Sequence, residues 1–170
     1  MFKETMIDEA KIISIYSNKE NTNVFYAGRL IAFDDKYVLI QSLNPAGKDD
    51  GLLCLNKENV YRVDYAGEYE KHLKEVSKFE KYDLSVNGNI LLCLIQYSQE
   101  KKYMVEFEIY NNEDSYNTGY IKEINNDFVV VQVVNEEGLN DGESNILIDS
   151  ISLLGSNCIS CRKIEKLIKR

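Results

Sequence analysis

The sequence predicts a mainly β protein with flanking helices: two tandem five-stranded barrels, each preceded by a helix, and a C-terminal helix. Three observations carry this expectation. Residues 28–65 and 119–156 align without a gap at a constant offset of 91 positions: Gly28, Val38, Gln41, Asn44, Gly47, Asp50 and Gly51 recur as Gly119, Val129, Gln132, Asn135, Gly138, Asp141 and Gly142. Within each copy, short β-rich runs alternate with clusters of turn-forming residues. Outside the copies, apolar residues recur at helical spacing. Five such short strands would leave long unpaired edges in an open sheet, and a barrel removes or shortens them.

In chain order, Met1 to Ala10 reads as a short helix and Lys11 to Ser17 as a strand, Ile13 and Ile15 alternating with polar neighbours. Asn18 to Asn23 is a polar turn cluster, and Val24 to Phe33 a second strand. Asp34-Asp35-Lys36 is a tight turn by composition. Tyr37 to Leu43 is a nearly unbroken apolar third strand, Leu52 to Leu55 a fourth and Val60 to Tyr65 a fifth. From Gly67 the period changes: Tyr69, Leu73, Val76 and Phe79 share one helical face, in a helix expected to end near Asp83. After Asn87-Gly88-Asn89 the second unit follows the same order. A strand is expected first at Ile90 to Tyr97, and then the five strands of the repeat at Met104 to Tyr110, Tyr116 to Ile124, Phe128 to Val134, Asn145 to Ile148 and Ile151 to Leu154, with an extended hairpin between Ser98 and Thr118. Ile164, Leu167 and Ile168 mark the final amphipathic helix. The units divide as residues 1–66 and 67–170, each near the lower size for a free-standing core of roughly 80 residues.

At this point the residues resemble the Sm-like proteins (Sm, Lsm and Hfq), and more loosely other SH3-type barrels. The Sm-like signature runs Gly-x-Leu-x-x-apolar-Asp-x-x-apolar-Asn. Residues 28–38 (GRLIAFDDKYV) match it up to the last place, with Gly28, Leu30 and Asp34 in position; residues 119–129 (GYIKEINNDFV) match less well. The resemblance implies two small barrels that assemble by pairing edge strands. The RNA-reading asparagine of the family is replaced by Val38 and Val129, and its Arg-Gly turn falls near Asn56-Lys57 and Leu147-Ile148. The family's RNA chemistry is thus present in neither copy.

Charge points the same way. The net charge is −8, and nucleic-acid affinity comes largely from cations that displace counterions at phosphates. Only the tail is basic: Arg162, Lys163, Lys166, Lys169 and Arg170 against Glu165. Those cations suit a solvated helix face near a helix C-terminus, or, as the second reading, a nucleic-acid patch. No apolar run approaches the length of about 20 residues that a membrane helix needs. Acids near the N-terminus stand where a signal peptide would be apolar, which predicts a cytoplasmic protein. The richness in Asn, Lys, Ile and Tyr without Trp is the composition of a low-GC bacterium.

The remaining motifs point to structure before chemistry. The loop Asn44 to Gly51 recurs as Asn135 to Gly142; Gly47, Gly51, Gly138 and Gly142 read as turn glycines, and the acids fall short of a calcium-loop spacing. Cys158-Ile-Ser-Cys161 is a single CxxC, without the second pair of a structural zinc site and without a thioredoxin-like setting, though the helix start leaves a redox role open. Cys54 and Cys93 read as small core residues in strands. His72, the only histidine, reads as a solvated helix residue. Tyr61 and Tyr65, with Tyr69, suit a core or a protein interface. No Walker loop, GxSxG, HExxH or GxGxxG is present. The expectation is a non-catalytic interaction or assembly module without cofactor or metal. Tyr61, Tyr65, Arg162, Lys163, Lys166 and Lys169 are its candidate contact residues. Its partner is another protein or a second copy; alternatively, one unit packs on the other and hides the edges. The competing readings are a nucleic-acid-associated regulator using the basic C-terminal helix, and a small-molecule sensor with its site between the units.

Overall fold

A computed structural model describes residues 1–8 and 10–169, and the side chains of these apart from 113–116. Ten strands form one antiparallel sheet. In chain order they are β1 (Ile13–Tyr16), β2 (Tyr26–Phe33), β3 (Tyr37–Leu43), β4 (Asp49–Asn56), β5 (Arg62–Tyr65), β6 (Val105–Ile109), β7 (Asn112–Ile124), β8 (Phe128–Val134), β9 (Asn140–Leu147) and β10 (Ile151–Ser156). Three α-helices, α1 (Glu68–Val76), α2 (Ile90–Lys101) and α3 (Ile159–Ile168), flank them.

The spatial order is β5-β1-β2-β3-β4-β10-β6-β7-β8-β9, and the sheet is not closed. This corrects the expectation of two separate five-stranded barrels. Instead of curling back within its own half, β4 pairs with β10, matching Leu52, Leu53, Cys54 and Leu55 with Ser156, Gly155, Leu154 and Leu153. Two edges thereby satisfy each other without closure. Nothing in this sheet identifies the chain as Sm-like.

Burial on both faces explains the unbroken apolar runs near the junction. All seven residues of β3 are buried. Tyr37 and Leu39 join a core shared with α2, whereas Val38 and Ile40 join one shared with Phe2 and Met6. The first of these cores runs across the junction, from Leu52 and Cys54 to Val105, Phe107, Val129 and Leu154. β8 alternates buried and half-buried residues, the mark of a strand with one covered face.

α2 is the second correction, because residues 90–97 were expected to be a strand. An apolar run of this length has no period that tells a strand from a buried helix. The caps decide it: the Asn89 side chain accepts from the Leu92 N–H at 3.0 Å, and Lys102 ends the helix in the left-handed region. Its buried residues Ile90, Leu91, Leu94, Ile95 and Ser98 then follow helical spacing. α1 ends at Val76, seven residues before Asp83, because the Lys78 N–H donates to the Gly47 carbonyl at 2.9 Å and pulls the chain onto the β3–β4 loop. The expected N-terminal helix is a single 3-10 turn at Glu4–Met6. The hairpin of β6 and β7 closes through Tyr110 and Asn111, both with positive φ.

The repeated glycines have a steric cause. A Cβ on Gly28 would lie 2.1 Å from the Gln41 carbonyl oxygen, and one on Gly119 would lie 2.1 Å from that of Gln132. Gly28→Ala must therefore push β2 from β3 and is expected to cost about 2 kcal/mol, read from the urea midpoint. An unchanged midpoint would show that the strands do not approach this closely. The turn reading fits residues 44–48 and 135–139: the Asn44 side chain accepts from the Ala46 and Lys48 N–H groups, Asn135 from those of Glu137 and Leu139, and Gly47 and Gly138 have positive φ. Gly51 and Gly142, expected in the same loops, lie instead inside β4 and β9, where their positive φ accompanies a register shift against β3 and β8. Asp34 likewise accepts from the N–H groups of Lys36 and Tyr37 across the β2–β3 turn, and from that of Ile90 at the start of α2.

Candidate interaction edges

Two strands have a neighbour on one side only. β5 pairs with β1 through Ile13 with Tyr65, Ser14 with Asp64, Ile15 with Val63 and Tyr16 with Arg62; among the described residues no strand lies on its other side. β9 pairs with β8 and is equally bare outside. Unpaired N–H and C=O rows of this kind template further pairing.

The β5 edge is anchored from beneath. Glu70 of α1, buried, accepts from the Ser14 hydroxyl at 2.5 Å and from the Gly67 N–H at 3.1 Å, which ties the helix start to β1. Leu73 packs against Ile12, Ala27 and Leu43. Beside the edge lies a cavity of about 450 Å³ lined by Met6, Ile12, Ile13 and Tyr65, with Lys3, Lys11, Lys71 and Lys74 at its walls. Lys11 pairs with Asp8 and Lys71 with Glu68, whereas Lys3 and Lys74 have no ion-pair partner among the described residues. Arg62 forks onto Asp64 at 2.6 and 2.9 Å and covers the Tyr16 ring at 4.5 Å. The β9 edge has the opposite character. Asp141 and Glu143 are exposed along it, Glu136 and Glu137 precede it, and Leu139 and Leu147 are each more than half exposed. Lys122, on β7, pairs with Glu143.

The six expected contact residues divide between two places. Tyr65 is 56% exposed on the β5 edge, and Tyr61 stands just before that strand, its hydroxyl donating to the Asn18 carbonyl at 3.0 Å. Lys163, Lys166 and Lys169 are exposed along α3. Arg162 turns inward, donating to the Asn157 carbonyl at 2.8 Å and the Asp49 carbonyl at 2.6 Å, and so belongs to the junction. Arg170 lies outside the described residues. His72 is exposed on α1, as expected. Among the described residues, the tail thus offers three exposed lysines.

Asp49 organises the junction. Its carboxylate, 5% exposed, accepts from Gln41 Nε2 at 2.5 Å, the Glu80 N–H at 3.1 Å, the Gly51 N–H at 2.9 Å and the Tyr82 hydroxyl at 3.0 Å, with the Arg162 guanidinium 3.9 Å away. Asn157 Nδ2 donates to Tyr82 in turn. Burial and the Asp49 carboxylate push the Tyr82 phenol well up, so it remains a donor. The carboxylate is satisfied by these donors, and Asp49, Tyr82, Asn157 and Arg162 line an open cavity of about 490 Å³ together with Lys48, Lys78 and Lys81.

Cys54, Cys158 and Cys161 are buried, and Cys93 is half-buried. Cys54 lies in β4 as expected, whereas Cys93 lies on α2 and donates to the Asn87 carbonyl. At the start of α3 the hydrogen bond with Cys161, and then burial, hold the Cys158 thiol well above its ordinary range. A redox-active CxxC needs the opposite shift. Glu106 of β6 stands beside this pair, so that, among the described residues, Glu106, Cys158 and Cys161 form a group that could hold a metal ion. Sequence reasoning missed Glu106, since no spacing links it to the cysteines. No helix of the described residues is long and apolar enough to cross a membrane. Compared with protein-family models, with curated proteins and with solved structures, the chain matches none.

Proposed function

We propose that this is a non-catalytic, cytoplasmic assembly module in which the β9 edge of one copy adds to the β5 edge of the next. The observation that carries the reading is the internal β4–β10 pairing. β9 stands at the offset of 91 from β4, and β5 at the same offset from residues 153–156 of β10. The pairs Leu55 with Leu153 and Leu52 with Ser156 therefore translate to Ile146 with Arg62 and Glu143 with Tyr65 of a second copy. One junction is made inside the chain, and its equivalent halves are left bare at the two ends.

Charge supports the match, since acids along β9 would meet the lysines beside β5. A contact of this type is head-to-tail, and it closes into a ring or continues as a filament according to its rotation. The reading rests on strand pairing and not on any family resemblance.

Sedimentation velocity over a concentration series tests it. The native chain is expected to sediment as multiples of 19.6 kDa, with assembly weakening as salt rises. Asp141→Lys with Glu143→Lys, both at exposed positions, should weaken self-association more than about tenfold. A native chain that stays monomeric at its highest soluble concentration would sink the reading.

A further inference from the structure

The start of α3 carries chemistry that strand assembly does not use. One donor atom each of Glu106, Cys158 and Cys161 lies within 4.8 Å of the others, and all three residues are buried, at 8%, 4% and 0% exposure. Glu106 comes from β6, Cys158 caps the start of α3 and Cys161 lies in that helix's first turn, which follows directly on β10. Glu106 Oε2 accepts from the Ser160 hydroxyl at 2.6 Å, and Oε1 accepts nothing among the described residues. No lysine or arginine pairs with this buried carboxylate among the described residues. No fully buried side-chain oxygen among the described residues lacks a hydrogen-bond partner, so the unbonded Oε1 keeps access to solvent and is open to a ligand.

A second observation comes from Gly155. A Cβ at that position would lie 2.6 Å from Cys158 Sγ and 2.9 Å from Glu106 Oε1. The sulfur and the free carboxylate oxygen thus lean over the same bare stretch of β10, in space that any side chain would fill. Asp50 adds further negative charge, its Oδ1 accepting from the Ile159 N–H at 2.7 Å.

We propose that Glu106, Cys158 and Cys161 bind a zinc-type divalent cation as a three-donor tetrahedral site, with water in the fourth position. Two sulfurs and one carboxylate are a donor set for a borderline-soft metal and a poor one for magnesium or calcium. Binding replaces the proton on each thiol, releasing two protons to solvent, and the two thiolates and the carboxylate together outweigh the charge of the ion. The cation would pin α3 to β6 and β10. Cys54 and Cys93, the cysteines that a four-thiol site would have required, are not in this group.

Cobalt(II) titration of the reduced full-length chain tests the site. One equivalent should bind, with thiolate-to-cobalt charge-transfer absorption and the visible bands of a tetrahedral centre, and zinc should displace it. Cys158→Ser with Cys161→Ser should abolish the charge-transfer absorption. Glu106→Gln should weaken binding more than about tenfold, since even changes outside the ligand shell cost that much. Cys93→Ser should leave the spectrum unchanged, and far-UV circular dichroism should establish that each variant is folded. The proposal is overturned by a native chain that shows no charge-transfer absorption in excess cobalt. It is equally overturned by absorption that survives in the double serine variant or disappears in Cys93→Ser.

Discussion

Leu94→Ala is expected to lower the unfolding free energy by about 3 kcal/mol. Leu94 is fully buried at the centre of α2, in the core that joins Leu39, Leu52 and Cys54 of the first half to Val105, Phe107 and Val131 of the second. The sheet below and the helix backbone above are both held by hydrogen bonds, so the site cannot collapse to fill the space. The loss therefore includes the cavity as well as the transfer of the missing methyl groups. Gln96, exposed on the same helix, supplies the control: Gln96→Ala should stay within about 0.5 kcal/mol of the native chain. Urea unfolding followed by circular dichroism reads both. Equal midpoints for the two variants would mean that α2 is not the packed centre of the molecule. A single transition is also expected, since this core spans both halves.

Asp49→Ala should cost a similar amount, about 3 kcal/mol, for an electrostatic reason. Four donors converge on one buried carboxylate, and a guanidinium stands 3.9 Å away. Removing the acceptor leaves the Tyr82 hydroxyl proton and the Glu80 N–H without this acceptor, takes one of the two bonds that Gln41 Nε2 donates, and leaves Arg162 without its counter-charge. Asp49→Asn keeps the shape but turns an amide donor toward other donors, and should be almost as damaging. Tyr82→Phe removes one bond and should cost about 1 kcal/mol. Combining Tyr82→Phe with Asp49→Ala should cost less than the sum of the two, because both break the same bond. Full additivity in urea unfolding would show that Tyr82 and Asp49 act independently.

Much of the strand pattern was legible in the residues themselves. Tyr37 to Leu43 and Phe128 to Val134 carry their own boundaries, set by the turns on either side. The loop asparagines and glycines likewise need only local backbone geometry. What the sequence hid is decided at a distance. Ile90 to Tyr97 is apolar in either conformation, and a capping asparagine outside the run selects the helix. The choice between barrels and one sheet depends on which edge β4 meets, and that edge belongs to the other half. Arg162 reads as part of a basic tail until Asp49 is placed beside it. Glu106 is the sharpest case: in Val-Glu-Phe-Glu-Ile, strand periodicity puts it in solvent, yet it is buried beside Cys158, Ser160 and Cys161 at the start of α3.

The β4–β10 junction sets a schedule for synthesis. Cys54 waits for Leu154, so translation must add one hundred residues after β4 emerges before its partner exists. At ~5–20 residues per second, that leaves the leucine-rich edge of β4 bare on the ribosome for about 5–20 s. Pairing across so large a separation also makes the junction the slow step once the chain is released. The nascent protein is thus most vulnerable to aggregation in a window that the finished molecule no longer shows. Slower elongation downstream of β4 should lower soluble yield without altering the stability of the chains that do fold.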